Sequence, residues 1–227
     1  MIVRLPHMTD KMFAYHFLKN NIMNMDLNFL PGKLINEANI GKTLEISRTP
    51  VREALIYLTR EHLIQVLPQK GSYVTKIDMH LVEEGAFMRK CLEQAIYPEA
   101  AKHITPESAG RLRRMLAEQK SLIQHKEDYA SEFIQLDDQF HAFIFQICGK
   151  SNIWDSIVSI NTHYNRLRLL ELQTKINIYK VLFQHEALLN AIEANDTAVI
   201  GNTINEHMGN MTKSFATIQE SFADFFK

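Results

Sequence analysis

Apolar residues in the first part of the chain recur with helical spacing, with Met12, Phe13, Tyr15, Phe17, Leu18 and Ile22 inside a segment from Met8 to Met25. Phe29-Leu30 then runs into Pro31-Gly32, a pair that stops a helix and marks a turn. A short helix is predicted from Ile35 to Thr43, with Ala38 and Ile40 inward. Another opens at Ser47 and puts Val51, Ala54, Leu55 and Leu58 on one face. Ser47 suits the N-cap, where its hydroxyl can accept an orphan N–H, and Pro50 falls in the first turn, where its missing N–H costs little. Two β-like runs follow, Leu63 to Leu67 and Ser72 to Ile77, about the turn Pro68-Gln69-Lys70-Gly71. Helix, helix, helix and a hairpin with a basic tip is the order of a winged helix-turn-helix, predicted here over residues 1–77.

Beyond Asp78 the pattern is helical throughout. Helices are expected from His80 to His103, Pro106 to Gln124, Tyr129 to Cys148, Ile153 to Leu172, Asn177 to Ala194 and Thr197 to Phe222. Thr105-Pro106, Gly149, Asn152 and Asn195-Asp196 punctuate them. The fold class is therefore mainly α: three helices and a hairpin wing, then an all-α antiparallel bundle of six or seven helices over residues 78–227.

Composition narrows the setting. Hydrophobic residues make up 46% of the 227, against only 8 glycines and 6 prolines, enough for a real core and few turns for an all-β fold. Two cysteines, Cys91 and Cys148, carry no disulfide framework or metal spacing, which points to a reducing, cytoplasmic setting. There is no apolar run of membrane-spanning length, and Met1 to Lys11 lacks the architecture of an export signal, so no membrane partner is expected. The net charge of −1 hides an asymmetry: residues 1–78 hold ten Lys/Arg against seven Asp/Glu, while the remainder is acidic. A basic front suits a polyanion-binding module.

The helix that opens at Ser47 reads Ser47-Arg48-Thr49-Pro50-Val51-Arg52-Glu53-Ala54-Leu55. Arg48 and Arg52 lie four apart on one face, and the arginine fork matches guanine O6/N7 or a phosphate. Ser47 and Thr49 stand where a helix N-terminus favours a phosphate oxygen. Lys70 and Gly71 at the hairpin tip bring charge and close backbone to an adjacent groove. The competing reading is a solvated face on which the arginines pair with Glu45 or Glu53.

Ten histidines invite a metal reading. Asp137 and His141, four apart, can address one ion from one helix face. His141 lies beside a strongly apolar stripe, His185 sits among Leu182, Leu188, Leu189 and Ile192, and His207 sits near Ile204 and Met208. An unpartnered imidazole on an inward face is costly. Spacing alone leaves two readings open: separate hydrogen-bonded core histidines, or one shared polar site with Asp137. His163, in the polar stretch Asn161 to Asn165, counts as a further pocket residue.

The run from Pro31-Gly32 through Ser47–Leu55 to Lys70-Gly71-Ser72-Tyr73-Val74 resembles the DNA-binding domain of the GntR family of bacterial regulators. Glu45 and His62 stand where that family often has glycine, at positions that call for left-handed backbone. Residues from about 80 to 220 resemble the helical effector domain, often called FCD, of the FadR branch. The matching pieces are Arg89 with Glu93, Leu136 to His141, Gly149 to Asn152, His185 to Ile192, Asn195-Asp196 and His207.

The resemblance implies a divalent metal on Asp137, His141, His185 and His207, with a small carboxylate effector completing its coordination. Such a ligand set suits Zn²⁺, Ni²⁺ or Mn²⁺. Arg89, and with it Arg166 or Arg168, would pair with the effector's carboxylate; for the last two the competing reading is an exposed helix face. The expected protein is not an enzyme but a homodimeric repressor on a pseudo-palindromic double-stranded operator, modulated by a small organic acid. The alternatives are a regulator whose signal is the ion itself, or a metal-dependent hydrolase.

Overall fold

The computed structural model describes residues 4–175 and 177–227, with the side chains of 210–214 left aside. Helix α1 (Asp10–Met23) is capped by Thr9, whose hydroxyl accepts from the Met12 N–H at 3.3 Å. Strand β1 (Leu34–Ile35) precedes α2 (Glu37–Leu44) and α3 (Arg48–Arg60), and then come β2 (Ile64–Leu67) and β3 (Gly71–Val74). The sheet is antiparallel in the order β1-β3-β2, with Leu34 opposite Tyr73 and Gln65 opposite Tyr73 on the other edge. The hairpin is the one the alternation predicts. The third strand takes up Ile35, which the helical reading had placed at the start of α2.

Val51, Ala54, Leu55 and Leu58 of α3 pack with Ala14, Leu18 and Ile22 of α1 and with Leu63, Ile64 and Val74 of the hairpin. Each is at most 2% exposed, so the small domain has a dry core of its own, with apolar burial as its main stabilising term.

The helical domain is built from α4 (Met79–His103), α5 (Pro106–His125), α6 (Ala130–Ile147), α7 (Ser151–Ile160), α8 (Thr162–Gln173), α9 (Ile178–Glu193) and α10 (Thr197–Ser221). These are seven helices among the described residues. The single helix expected from Ile153 to Leu172 is two, broken at Asn161. The break packs closely on α4: a Cβ on Gly85 would stand 2.5 Å from Asn161 Oδ1. Glycine there lets α4 and the α7–α8 junction touch, and Asn161 Nδ2 donates to the Gly85 carbonyl at 3.4 Å.

Helix α8 lies at the centre. From Thr162 to Leu172 every residue is buried, including Thr162, His163, Asn165, Arg166, Arg168 and Glu171. Buried polar groups need partners, and α8 finds them in two directions. Toward the small domain, Thr162 Oγ1 donates to the Glu61 carbonyl at 2.8 Å and His163 Nε2 bonds the His62 carbonyl at 3.0 Å. Arg166 donates to Thr75 O at 2.7 Å and Thr75 Oγ1 at 3.1 Å. Toward the bundle, Arg168 reaches Asp137 and Asp138 on α6.

Candidate DNA-reading surface and metal centre

Burial of Val51, Ala54, Leu55 and Leu58 turns the opposite face of α3 outward, and Arg48, Thr49 and Arg52 are exposed there. Ser47 occupies the N-cap with extended backbone, but its hydroxyl makes no capping bond, contrary to the capping role expected for it. Arg52 Nε donates to Glu37 Oε2 of α2 at 2.7 Å, so the partner of Arg52 is neither Glu45 nor Glu53. Both glycine-type positions are left-handed without glycine: Glu45 at φ 56° and His62 at φ 58°.

At the hairpin tip Lys70 is exposed, and Gly71 adopts φ +112°. A Cβ on Gly71 would meet only the tip of the exposed Leu34 side chain, at 2.9 Å, so it is the backbone conformation that calls for glycine.

In the bundle, α6, α9 and α10 bring His141, His185 and His207 together, with ring centroids 5.0 to 5.6 Å apart. One nitrogen from each lies within 4.8 Å of the others. Each ring is held from behind through Nδ1: His141 by the Tyr97 hydroxyl, His185 by Gln119 Oε1 at 3.2 Å, and His207 by Gln184 Oε1 at 3.2 Å. A ring whose Nδ1–H donates to an amide oxygen keeps its Nε2 lone pair free, which is how imidazole ligands are fixed. His141 Nε2 and His185 Nε2 are buried and have no hydrogen-bond partner among the described residues.

Electrostatics keep these donors in ligand form. Burial, reinforced by Arg89, holds His141 far below the usual histidine range. Burial likewise depresses His207, and it pushes His185 down to about 4 against the opposing pull of Asp137. All three are neutral at physiological pH. Burial alone would raise the Asp137 carboxyl, but Arg168, His185 and Arg89 hold it below the usual carboxylate range. Asp137 faces His141 Nε2 at 3.5 Å and His185 Nε2 at 3.4 Å, and Arg168 closes on the same carboxylate.

Arg89, Glu93 and Tyr97 stand four apart along α4 and complete the wall. Arg89 Nε donates to Glu93 Oε1 at 2.6 Å, and its guanidinium sits over the Trp154 ring at 5.3 Å. Trp154 in turn stacks on His141 at 5.7 Å. The second terminal nitrogen of Arg89 lies 3.8 Å from Asp137 and makes no hydrogen bond among the described residues. The opening onto this cluster is a cleft of ≈40 Å³, lined by Asp137, Tyr164, Arg168, Glu171 and His207 among others.

Residues 12–74 match the model of bacterial regulatory proteins of the gntR family, and residues 84–210 match the FCD domain. The chain belongs to the GntR family. It is 31% identical over 212 residues to the HTH-type transcriptional repressor RspR of Escherichia coli, spanning 93% of this chain and 91% of that one. It is also 25% identical to the gluconate operon transcriptional repressor of Bacillus subtilis over 181 residues, 78% of this chain and 73% of that one. Among solved structures it resembles Escherichia coli McbR/YncC with a TM-score of 0.73 at 21% identity, covering 95% and 99% of the two chains. This GntR-family protein is thus a DNA-binding transcriptional regulator, and its families and relatives are regulators, not enzymes. No helix among the described residues is long and apolar enough to cross a membrane.

The fold gathers Asp137, His141, His185, His207 and Arg89 in one place, together with Arg168, one of the two arginines offered beside Arg89 for the effector. It does not bring His163 or Arg166 to that cluster. Both are buried at the joint with the winged domain, where they bond backbone of residues 62, 75 and 78. Nor is the alternative of an exposed face correct for Arg166 and Arg168, at 0% and 9% exposed. Sequence reasoning missed Tyr97, Gln119, Gln184 and Trp154. Tyr97 was within reach of it, since Arg89, Glu93 and Tyr97 repeat every four residues. The two glutamines carry no local signal.

Proposed function

We propose that this regulator is a homodimeric repressor that reads a pseudo-palindromic operator and releases or grips it according to a small organic acid bound at a metal centre. Arg48 and Arg52 contact base edges in the major groove. Ser47 and Thr49 take phosphate at the helix N-terminus, and Lys70 with Gly71 reaches the neighbouring groove. The repressor names of the similar proteins support the sign of regulation.

His141, His185 and His207, with Asp137 once Arg168 lets go of it, hold a divalent ion such as Zn²⁺, Ni²⁺ or Mn²⁺. The observation that carries this reading is the convergence of three neutral imidazoles, each fixed through Nδ1 and aimed at a common centre. When bound, the ion supplies open coordination positions for a carboxylate oxygen. Arg89 and Arg168 supply the matching cations.

A cleft of ≈40 Å³ is far below the roughly 300 Å³ of a small-molecule pocket, so an organic acid has to displace the groups that close it. Arg168 is one of them, and it lies on the helix whose Thr162, His163 and Arg166 hold the winged domain. Opening the site therefore disturbs the joint, which gives an effector differential affinity for two domain poses.

Native mass spectrometry of the purified protein tests the reading, with one ion per chain, a bound acid and a dimer as the expected masses. A metal-free chain after growth and loading in Zn²⁺, Ni²⁺ and Mn²⁺ would sink it. The same small cleft favours a second reading, in which the ion itself is the signal. That reading gains if operator affinity follows metal concentration in buffer free of organic acids.

A further inference from the structure

The chain crosses between its two domains at Thr75 to Asp78, and the crossing is gripped from two sides. Helix α8 holds one side: Arg166 bonds Thr75, and the Asp78 N–H donates to His163 Nδ1 at 3.0 Å. The other side is held by the segment that follows α10. There a 3₁₀ turn (Ala223–Phe225) reverses the chain, and Phe226 lies alongside Ile77 in a one-residue parallel bridge. The Ile77 N–H donates to the Phe225 carbonyl at 2.8 Å, and the Lys227 N–H donates to the Ile77 carbonyl at 3.2 Å.

Three further contacts fasten this segment. Phe226 is 6% exposed and packs edge-on against Phe215 at 5.6 Å. Ile77 is fully buried beneath it. Lys227 Nζ reaches Asp78 Oδ2 at 2.6 Å, and the Lys227 ammonium holds the Asp78 carboxyl below its usual range. The other oxygen of Asp78 caps α4 by accepting from the His80 N–H at 3.0 Å.

Buried backbone groups are almost always paired. Both backbone groups of Ile77 find their partners in residues 225–227. The segment thus ties three things at one point: the end of α10, the start of α4, and the hinge between the domains. Helix α10 carries His207, and α4 carries Arg89, Glu93 and Tyr97.

We propose that residues 222–227 form a strap that fixes the interdomain hinge, so that the pose of the winged domain follows the end of α10 as well as α8. This holds whether or not the histidine cluster takes a metal, because no strap contact involves those residues.

Hydrogen–deuterium exchange of the full chain without DNA or metal tests the proposal. In Phe226→Ala the peptide spanning residues 75–80 is expected to exchange at least tenfold faster, while α3 and α6 keep wild-type protection. Wild-type exchange at 75–80 in that variant overturns the strap. If Phe226→Ala instead loosens the whole helical domain, its ring belongs to the core, and Lys227→Ala decides. The Lys227 side chain is 61% exposed and adds no core packing. Severalfold faster exchange at 75–80 in Lys227→Ala then supports the strap, and an unchanged rate overturns it.

Discussion

Arg168 of α8 and Asp137 of α6 form a buried ion pair, and the carboxylate in that pair is the one that faces His141 Nε2 at 3.5 Å and His185 Nε2 at 3.4 Å. A guanidinium and a metal ion would compete for the same oxygens. Removing the guanidinium leaves Asp137 opposed by Arg89 alone, at 3.8 Å. Arg168→Leu is therefore expected to bind Ni²⁺ or Zn²⁺ about tenfold more tightly, about 1.4 kcal/mol, in competition with a chromophoric chelator. Weaker binding than wild type would mean that Arg168 supports the site instead of closing it.

Gln119 makes no contact with the common centre, yet its Oε1 fixes His185 Nδ1 at 3.2 Å while its Nε2 donates to the Leu136 carbonyl at 3.1 Å. Groups that orient a metal-binding imidazole typically contribute ~10–100-fold in affinity. Gln119→Leu should weaken metal binding by that factor without removing the site, whereas His185→Ala should abolish stoichiometric binding. Equal affinity in Gln119→Leu and wild type, read by calorimetry, would release Gln119 from this role.

The outer layers of the fold were legible because they depend on local rules. Alternating residues around Pro68 to Gly71 read as the hairpin, and the period of Val51, Ala54, Leu55 and Leu58 read as α3. What escaped was set by tertiary contact. The break at Asn161 packs against Gly85, 76 residues earlier in the chain. Arg166 and His163 looked like pocket or surface groups because α8 has no amphipathic side: from Thr162 to Glu171 its polar residues are all buried, but against two different partners. Of the site itself, spacing left two readings open for the histidines, and it was the family resemblance that put Asp137, His141, His185, His207 and Arg89 together. The glutamines behind the imidazoles were not readable, since a second layer is placed by packing and not by period.

At the joint between the domains, His163 is neutral. Its Nε2 donates to the His62 carbonyl and its Nδ1 accepts from Asp78. Protonation would turn that acceptor into a donor facing the Asp78 N–H and the Arg166 cation. Burial and Arg166 push the ring down to about 3, against about 6.5 when exposed. A histidine depressed in the folded state binds more protons when unfolded, so its stabilising effect is present above pH 6.5 and is lost as pH falls toward 3. The loss approaches about 1.4 kcal/mol per pH unit in that window. His141, His185 and His207 share the sign, so the decisive quantity is the difference between wild type and His163→Gln. Thermal unfolding of wild type should fall more steeply from pH 7 to pH 5 than that of the variant. Parallel curves would show that His163 does not titrate with the joint.

Glu45 holds φ 56°, ψ 39° at the end of α2, fully left-handed with an exposed side chain. A residue with a Cβ pays for that conformation in steric strain, which glycine avoids. Glu45→Gly is expected to stabilise the protein by about 1 kcal/mol and raise its melting temperature by about 2–4 °C. An unchanged or lower midpoint would mean that the freedom glycine gains in the unfolded chain offsets the relief.

Glu37 and Arg52 meet at 2.7 Å across α2 and α3 with the Arg52 side chain 66% exposed, so the contact orients the guanidinium more than it stabilises the fold. Two roles are separable on an operator obtained by selection from random duplexes. On the proposed reading, Arg48→Ala and Arg52→Ala each remove a base contact and should cost about 1–3 kcal/mol while relaxing preference at one position per half-site. If Lys70 at the hairpin tip meets a phosphate, Lys70→Ala should weaken all sequences alike, lowering the salt slope by about one. Glu37→Gln leaves both arginines in place but frees Arg52. Its signature is lost discrimination with little change in non-specific affinity, read from competition titrations against mismatched duplexes. If Glu37→Gln discriminates as wild type does, Arg52 needs no help from α2 to find its base.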